Sequence, residues 1–301
     1  MDFNAITVLG PTATGKTKLA VQIAYYFNGE IISADSRQVY RGMDLGTGKD
    51  YGNYIINNIK IPFHLVDIIE PTEEFNVFLF KDFFIKAASQ IMERSKLPVL
   101  CGGSGLYLSA IIQDYKLFQM CNVSREELEK LSFEELKSLL LKLNKSPHNT
   151  TDLLDKERTI TAIMILCSKC DNYADTSKII PFIIGVNPGR EQIKRGITER
   201  LKSRFNAGMI DEVKLLMEDG ISFEKMIFFG LEYKYIGMYL TGKLSYNDMF
   251  QKLNSAIHNF AKRQMTWFRK MEKEGIKIHW LDSNDYHKAR ILIESAGFRS
   301  T

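Results

Sequence analysis

A chain of 301 residues with 45% hydrophobic and 25% charged side chains can bury a sizeable core, which argues for one large α/β domain with an elaboration and against disorder. No apolar run reaches the roughly 20 residues of a membrane span. Met1-Asp-Phe-Asn4 enters a strand with no room for a signal peptide, and four cysteines suit a reducing compartment, so a cytoplasmic protein without membrane attachment is expected. The net charge of +4 is modest. Its distribution is more informative: Lys194, Arg195, Arg200, Lys202 and Arg204 crowd one stretch, and Lys262, Arg263, Arg269 and Lys270 another. Such clusters face nucleic acid or merely keep helices soluble, and charge alone does not choose.

The first element is the apolar, β-branched run Ile6-Thr-Val-Leu9, which reads as a buried strand. It leads into Gly10-Pro11-Thr12-Ala13-Thr14-Gly15-Lys16-Thr17, a match to G-x-x-x-x-G-K-[ST]. Leu19, Ala20, Ile23, Ala24 and Phe27 then recur at helical spacing. Strand, glycine loop and helix together make an anion cradle: backbone N–H groups turn inward and the positive end of the helix points at the ligand. Lys16 adds a charge on the terminal phosphates, and Thr17 a hydroxyl ligand for Mg²⁺.

Glu30 to Asp35 reads as a second strand ending in an acid, and Arg41 to Lys49 as a glycine-rich loop. Ile61 to Asp67 is expected as a short strand and Phe80 to Met92 as a helix. Pro98 to Cys101 is a strand running into Gly102-Gly-Ser-Gly105, with a helix from Leu106. Strands alternating with helices predict a mostly parallel sheet flanked by helices, in which ligands gather at the carboxyl ends of the strands. From Ser124 the pattern turns helical: Ser124-Arg-Glu-Glu127 fits a capping box, Phe133 to Leu143 is strongly amphipathic, and 146–151 breaks the run. Cys167-Ser-Lys-Cys170 lacks the second pair of a zinc site and reads as core thiols. Ile179 to Val186 returns to strand-like sequence. The chain therefore divides into a P-loop α/β core, 1–115 and 179–301, and an inserted helical subdomain, 116–178. Helices are expected at Arg190–Phe205, Met209–Glu218 and Tyr246–Lys273, and a last strand at Ile276–Leu281.

Two chemistries remain open for the phosphate loop. In an ATPase, Asp35 holds metal, but no water-positioning residue or base pocket accompanies it. Alternatively Asp35 is a general base beside a diphosphate that acts as leaving group.

Gly10–Thr17, Asp35-Ser-Arg-Gln-Val-Tyr40, Gly42-Met-Asp-Leu-Gly46, His64-Leu-Val-Asp67, Gly102-Gly-Ser-Gly-Leu-Tyr107 and Ala261-Lys-Arg-Gln-Met-Thr-Trp267 together resemble, in order and over most of the chain, the tRNA dimethylallyltransferase family. The D-S-x-Q-V-Y and K-R-Q-x-T-W segments are more specific than the phosphate loop. The resemblance implies transfer of a dimethylallyl group from dimethylallyl diphosphate to the exocyclic amine of the adenine 3′ of the anticodon, with Mg²⁺ as cofactor. It implies that Gly10–Thr17 hold the diphosphate, Thr17 the metal, and that Asp35 accepts the amine proton or orients the amine. Ser104, where the family usually has Thr, then positions the base or metal. Arg200 and Arg204 are expected to cover the diphosphate, since a planar donor fork pairs with phosphate oxygens. Asp35, Ser36, Arg37, Gln38, Ser104, Arg125, Arg158, Thr161, Arg263 and Gln264 map onto tRNA contacts, and Trp267 onto packing. The adenine must leave its stack, which an anticodon loop permits at low cost. A monomer acting on the tRNA anticodon stem-loop is expected.

The departures lie on the tRNA side. Thr161 stands where the family has Arg and Met164 where it has an acid. The G-Y-[KR]-[EQ] segment corresponds to Gly230-Leu-Glu-Tyr-Lys234 in a register the sequence leaves open. Chemistry is therefore expected to be retained, with tRNA contacts weakened or re-aimed. The rivals are an adenylate isopentenyltransferase, which has less need of the insert and the basic late helix, an RNA binder without turnover, and a small-molecule kinase.

Overall fold

Three apolar strands that each end in a polar loop lie side by side. In the computed structural model, which describes residues 3–115, 124–143, 155–167 and 179–300, strand β6 (Leu97–Gly102) runs parallel between β2 (Gly29–Ala34) and β1 (Ala5–Leu9). Leu9 and Ala34 both stand opposite Gly102, so the loops that follow begin on one line across the sheet. Phe63–His64 (β5) flanks β2. Pro181–Val186 (β7) pairs with β1, and His279–Leu281 (β8) closes the far edge, giving the parallel order β5-β2-β6-β1-β7-β8.

Both faces of this sheet are covered, as near-continuous apolar strands require. Side chains alternate by the strand period of two. Ile31 and Val99 face Leu19, Ile23 and Ala289 on one side, whereas Ile32 and Leu100 face Phe80, Phe84 and Phe268 on the other. The first layer contains α1 (Lys16–Tyr26) and the last helix, Tyr286–Ser295. The second contains α2 (Val77–Glu93), α3 (Gly105–Ile112) and the helices that follow β7.

The inserted stretch contributes α4 (Arg125–Glu129), α5 (Phe133–Leu143) and α6 (Lys156–Cys167). Ser124 and Glu127 form the expected capping box. These helices share a small core of their own, formed by Leu128, Leu136, Leu140, Ile160 and Ile163. The break at 146–151 and Cys170 of the C-x-x-C lie outside the described residues.

After β7 come α7 (Arg190–Asn206), α8 (Met209–Glu218), α9 (Phe223–Phe229), α10 (Leu231–Leu240), α11 (Tyr246–Lys273) and, beyond β8, α12 (Tyr286–Ser295). Helices α9, α10 and α12 were not anticipated. Only Gly230, at φ 127, separates α9 from α10, and the start of α12 rests on Asp285, whose side chain accepts from His287 N and Lys288 N. The strand expected over Ile61–Asp67 shrinks to two residues because Leu65 (φ 62) and Asp67 (φ 55) turn the chain away. A short hairpin, β3 (Ile55–Ile56) with β4 (Ile59–Lys60), turns on Asn57 and Asn58, both at positive φ as such a turn demands.

Candidate active site

The loop between β1 and α1 carries the phosphate-loop motif, and Gly15 is the N-cap of α1 in the left-handed conformation (φ 79) with no side-chain cap. The first N–H groups of α1 therefore have no side-chain acceptor and point toward the site. A Cβ on Gly15 would also come within 2.6 Å of the Asn284 amide. Within the loop, the Thr14 hydroxyl donates to Pro11 O at 3.0 Å and the Lys16 amine to the same oxygen at 3.4 Å. Burial, then the charges of Arg200 and Arg204, push the Lys16 amine below its usual range, with Cys101 and Asp35 opposing. An anion in the loop would relieve that cost.

A cavity of about 460 Å³ opens over this loop, lined by Thr12, Lys16, Thr17, Asp35, Ser36, Arg37, Gln38, Ser104, Arg158, Arg200, Arg204, Arg263 and Gln264, among others. Gly10, Pro11, Ala13, Thr14 and Gly15 form the loop without lining the cavity. Arg125 and Thr161 do not line it either. Arg125 is spent on Glu129 (2.8 Å) and Glu157 (2.5 Å), and the Thr161 hydroxyl donates to Glu157 O one turn back in its own helix at 2.8 Å.

Helix α7 brings Arg200 and Arg204 together one turn apart. Arg200 donates weakly to Thr12 Oγ1 (3.3 Å) and Gly48 O (3.4 Å). The Nε atoms of both arginines and Nη2 of Arg204 are buried with no hydrogen-bond partner among the described residues. Burial, with Arg200 beside it, lowers the Arg204 guanidinium to about 10, so it keeps its charge at neutral pH. Arg200 also meets Asp50 at 3.4 Å, yet the buried guanidinium nitrogens that stay unsatisfied in this part-buried pair are costly unless an anion completes them.

Asp35 follows β2 directly, and its Oδ1 accepts from Arg37 N at 2.9 Å, which fixes the turn. Ser104, at the end of β6, accepts from Ser36 N at 3.4 Å and so joins the two strand ends. Gln38 is held at both ends of its amide: Ser33 Oγ donates to its Oε1 at 3.0 Å, and its Nε2 donates to Gly48 O at 3.2 Å. The Arg37 guanidinium lies 4.5 Å from the centre of the Phe228 ring.

The Gly42–Lys49 loop forms one wall and is fastened from below. Glu212 of α8 accepts three successive backbone N–H groups, from Asp44 (2.9 Å), Leu45 (2.6 Å) and Gly46 (3.0 Å), and a fourth bond from Tyr233 OH at 2.8 Å. The Lys49 amine, buried, is held by Asp44, Asp67 and Tyr40 O. A side chain at Gly48 would run into the Arg204 and Arg200 guanidinium groups.

On α11, Gln264 accepts from Thr12 N at 2.9 Å and donates to Gly103 O at 2.9 Å. Its amide thus joins the phosphate loop to the end of β6. Arg263 and Phe260 line the cavity mouth. Trp267 packs against Gly105 and donates to Ser109 Oγ at 2.7 Å, a packing role. Two titratable cavity residues without a role in the sequence reading bear on the site's charge. The first is Glu232, raised above its usual range by burial and 4.0 Å from Arg204. Its signal was an acid inside an otherwise apolar and aromatic stretch. The second is Cys101, whose buried thiol is pushed up to about 11 and is therefore neutral.

Comparison with known proteins identifies the family. Residues 38–271 match the family described as IPP transferase. The chain is 50% identical over 285 residues to "tRNA dimethylallyltransferase 1" of Geotalea daltonii, covering 94% of this chain and 92% of that protein. It is 48% identical over 284 residues to "tRNA dimethylallyltransferase 2" of Trichlorobacter lovleyi, covering 93% and 92%. Among solved structures, the full-length tRNA isopentenylpyrophosphate transferase of Bacillus halodurans superposes with TM-score 0.69 at 31% identity, over 98% of this chain and 95% of that one. A eukaryotic dimethylallyltransferase acting on tRNA shares the fold, with TM-score 0.75 at 21% identity over 99% and 81%. With matches of this extent laid on a phosphate loop, an arginine pair and a strand-end aspartate in one cavity, the chain belongs to the IPP transferase family.

Proposed function

We propose that this protein transfers a dimethylallyl group from dimethylallyl diphosphate to the exocyclic amine of the adenine immediately 3′ of the tRNA anticodon, releasing diphosphate. The observation that carries this reading is the make-up of the cavity lining. The cavity brings Lys16 and guanidinium donors that lack partners together with Asp35 and Ser104, which follow adjacent strands. The names of the relatives, at 48% and 50% identity over nearly the whole chain, point the same way.

In this reading the amine nitrogen attacks the allylic carbon as the carbon–oxygen bond breaks, and the bonding pair leaves on the diphosphate oxygen. Lys16, Arg200 and Arg204 stabilise that developing charge, and Asp35 orients the amine or takes its proton. Among the described residues no group of three or more His, Cys, Asp or Glu side chains could hold a metal by itself. Thr17, whose hydroxyl lines the cavity beside the phosphate loop, fits Mg²⁺ completed by phosphate oxygens and water, the coordination this ion prefers. When bound there, the ion would supply charge neutralisation on the leaving group. Ser36, Arg37, Arg158 and Arg263 would contact RNA at the mouth, with the insert gripping the anticodon stem. No described helix is long and apolar enough to cross a membrane. A cytoplasmic monomer completes the proposal.

The test is incubation of purified protein with dimethylallyl diphosphate, Mg²⁺ and unmodified tRNA, with mass analysis of digested nucleosides and AMP as a parallel acceptor. Prenylated adenosine from tRNA alone is expected. Product from AMP alone would assign the nucleotide activity instead, and no product from either would end the catalytic reading.

A further inference from the structure

The loop 42–49 that walls the cavity is held from one side and used from another. Gly46, Thr47 and Gly48 line the cavity, whereas Glu212 of α8 does not. Its carboxylate instead gathers the N–H groups of Asp44, Leu45 and Gly46 at 2.9, 2.6 and 3.0 Å. Successive N–H groups that turn toward one anion make an anion-binding concavity. Here the protein fills it with a side chain of its own.

A short chain of contacts leads from that carboxylate to the cationic groups of the cavity. Asp44, whose N–H Glu212 holds, accepts at its carbonyl from Gly48 N (2.8 Å) and Lys49 N (2.9 Å). Gly48 O accepts from Gln38 Nε2 at 3.2 Å and from Arg200 Nη2 at 3.4 Å. A Cβ at Gly48 would run into the guanidinium groups of both Arg200 and Arg204, so the pair rests against bare backbone. Tyr233 of α10 braces the same carboxylate, donating to it at 2.8 Å, while its ring fills the space that a Cβ on Gly46 would need.

We propose that Glu212 is a positioning residue for the transfer reaction: it fixes the 44–48 backbone and, through Gly48, the placement of the Arg200 and Arg204 guanidinium groups for the diphosphate. The inference rests on the reading that these arginines receive the diphosphate. Two accepting oxygens are needed at position 212. One takes Asp44 N and Leu45 N, and the other takes Gly46 N and the Tyr233 hydroxyl. A glutamine fills the same space, but whichever way its amide turns, an NH₂ group faces two partners that had been donating to an acceptor. Loop N–H groups left unpaired at part-buried positions are costly. The loop turns to satisfy them elsewhere, and the stop behind the arginine pair moves with it.

The experiment titrates inorganic diphosphate with Mg²⁺ into the full chain by calorimetry, and measures KM for dimethylallyl diphosphate and for tRNA on the same proteins. It compares wild type, Glu212→Gln, Tyr233→Phe, and a control farther along α8, Glu218→Gln, which removes only an exposed pairing with Lys214 at 3.7 Å. Glu212→Gln is expected to raise the diphosphate Kd and the KM for the prenyl donor about tenfold, with KM for tRNA nearly unchanged. Tyr233→Phe keeps the ring and should move the same two constants a smaller distance, so it carries the test if Glu212→Gln does not fold. The control follows wild type. A role in folding alone lowers the active fraction, and hence kcat, while Kd and KM of the folded molecules stay at wild-type values, and that pattern overturns the inference. So do equal rises in both KM values, which would mean general loosening. Wild type that binds no diphosphate would sink the reading of the cavity itself, a failure visible before any variant is compared.

Discussion

Gln264 accepts the backbone N–H of Thr12 at 2.9 Å across 252 residues of sequence. Its other amide end donates to Gly103 O at 2.9 Å, so one buried side chain fixes the distance between the phosphate loop and the loop that carries Ser104. A motif position that maps onto tRNA contact is thus spent on backbone. Gln264→Ala leaves a buried donor and acceptor unpaired and loosens the cradle. We expect KM for dimethylallyl diphosphate to rise about tenfold or more with KM for tRNA nearly unchanged. Two-substrate steady-state kinetics decide, and the opposite split would assign Gln264 to the RNA.

Arg200 and Arg204 hold donors that nothing in the described protein satisfies. Arg204→Gln removes a charge from the cavity lining while keeping an amide in place. The expected result is a loss of about a hundredfold in kcat/KM for the diphosphate donor. Arg204→Lys should recover only part of it, because an ammonium cannot make the forked contact. Inhibition by free diphosphate should weaken in parallel, and a variant still inhibited like wild type would remove Arg204 from the cradle.

At the opposite end of the sheet, Glu30 opens β2 on its amino side, far along the strand from Asp35. Burial alone would raise its carboxyl group, but hydrogen bonds from His64, Arg94 and Lys96 outweigh this and lower it from 4.5 to about 2. The sign follows: stabilisation is complete above the unfolded value of 4.5 and is lost as pH falls from there toward 2. Glu30→Gln should cost about 2 kcal/mol of unfolding free energy at pH 7. That deficit should shrink on acidification in urea melts, with catalytic constants untouched. A deficit independent of pH would attribute the cost to packing rather than charge.

What could be read from the sequence follows from how local each feature is. The phosphate loop, Asp35 and Gly102–Ser104 follow apolar strands, and their convergence needed only the rule that parallel strands deliver loops to one edge. The bounds of α8 and α5 fell where apolar periodicity put them. Glu212 was not legible, because a carboxylate taking three N–H groups from a loop some 170 positions earlier leaves no local trace. Helices α9 and α10 were hidden by their near-continuous aromatic content, which carries no clean period. Gln264 was legible as a motif residue, but its role depends on which loops the fold brings to it.

Thr161 lies outside the cavity, its hydroxyl bonded within its own helix, and the nearby Arg125 is neutralised by Glu129 and Glu157. The insert thus offers Arg158 to the cavity as its single cation there among the described residues. If tRNA grip has weakened on this side, Thr161→Arg should lower KM for the organism's own tRNA severalfold with kcat held, by adding one phosphate contact. Equal KM for both proteins would mean that the insert has been re-aimed rather than weakened.

The chemistry turns on whether Asp35 removes a proton or only orients the amine, and the turn it sits in makes the question answerable. Its Oδ1 accepts from Arg37 N at 2.9 Å, a bond that the carbonyl oxygen of an asparagine reproduces. Asp35→Asn therefore keeps the turn, the placement of Ser36 against Ser104, and the shape of the cavity. What it removes is basicity. If Asp35 takes the proton as nitrogen attacks, single-turnover rates at saturating tRNA and donor should fall by roughly three orders of magnitude, in the range found for positioned general bases. Binding of both substrates should stay within a fewfold of wild type, because the lost interaction strengthens only in the transition state. A loss under about tenfold would leave Asp35 as an orienting acceptor, with the proton passing to solvent or to the departing diphosphate after the carbon–nitrogen bond has formed.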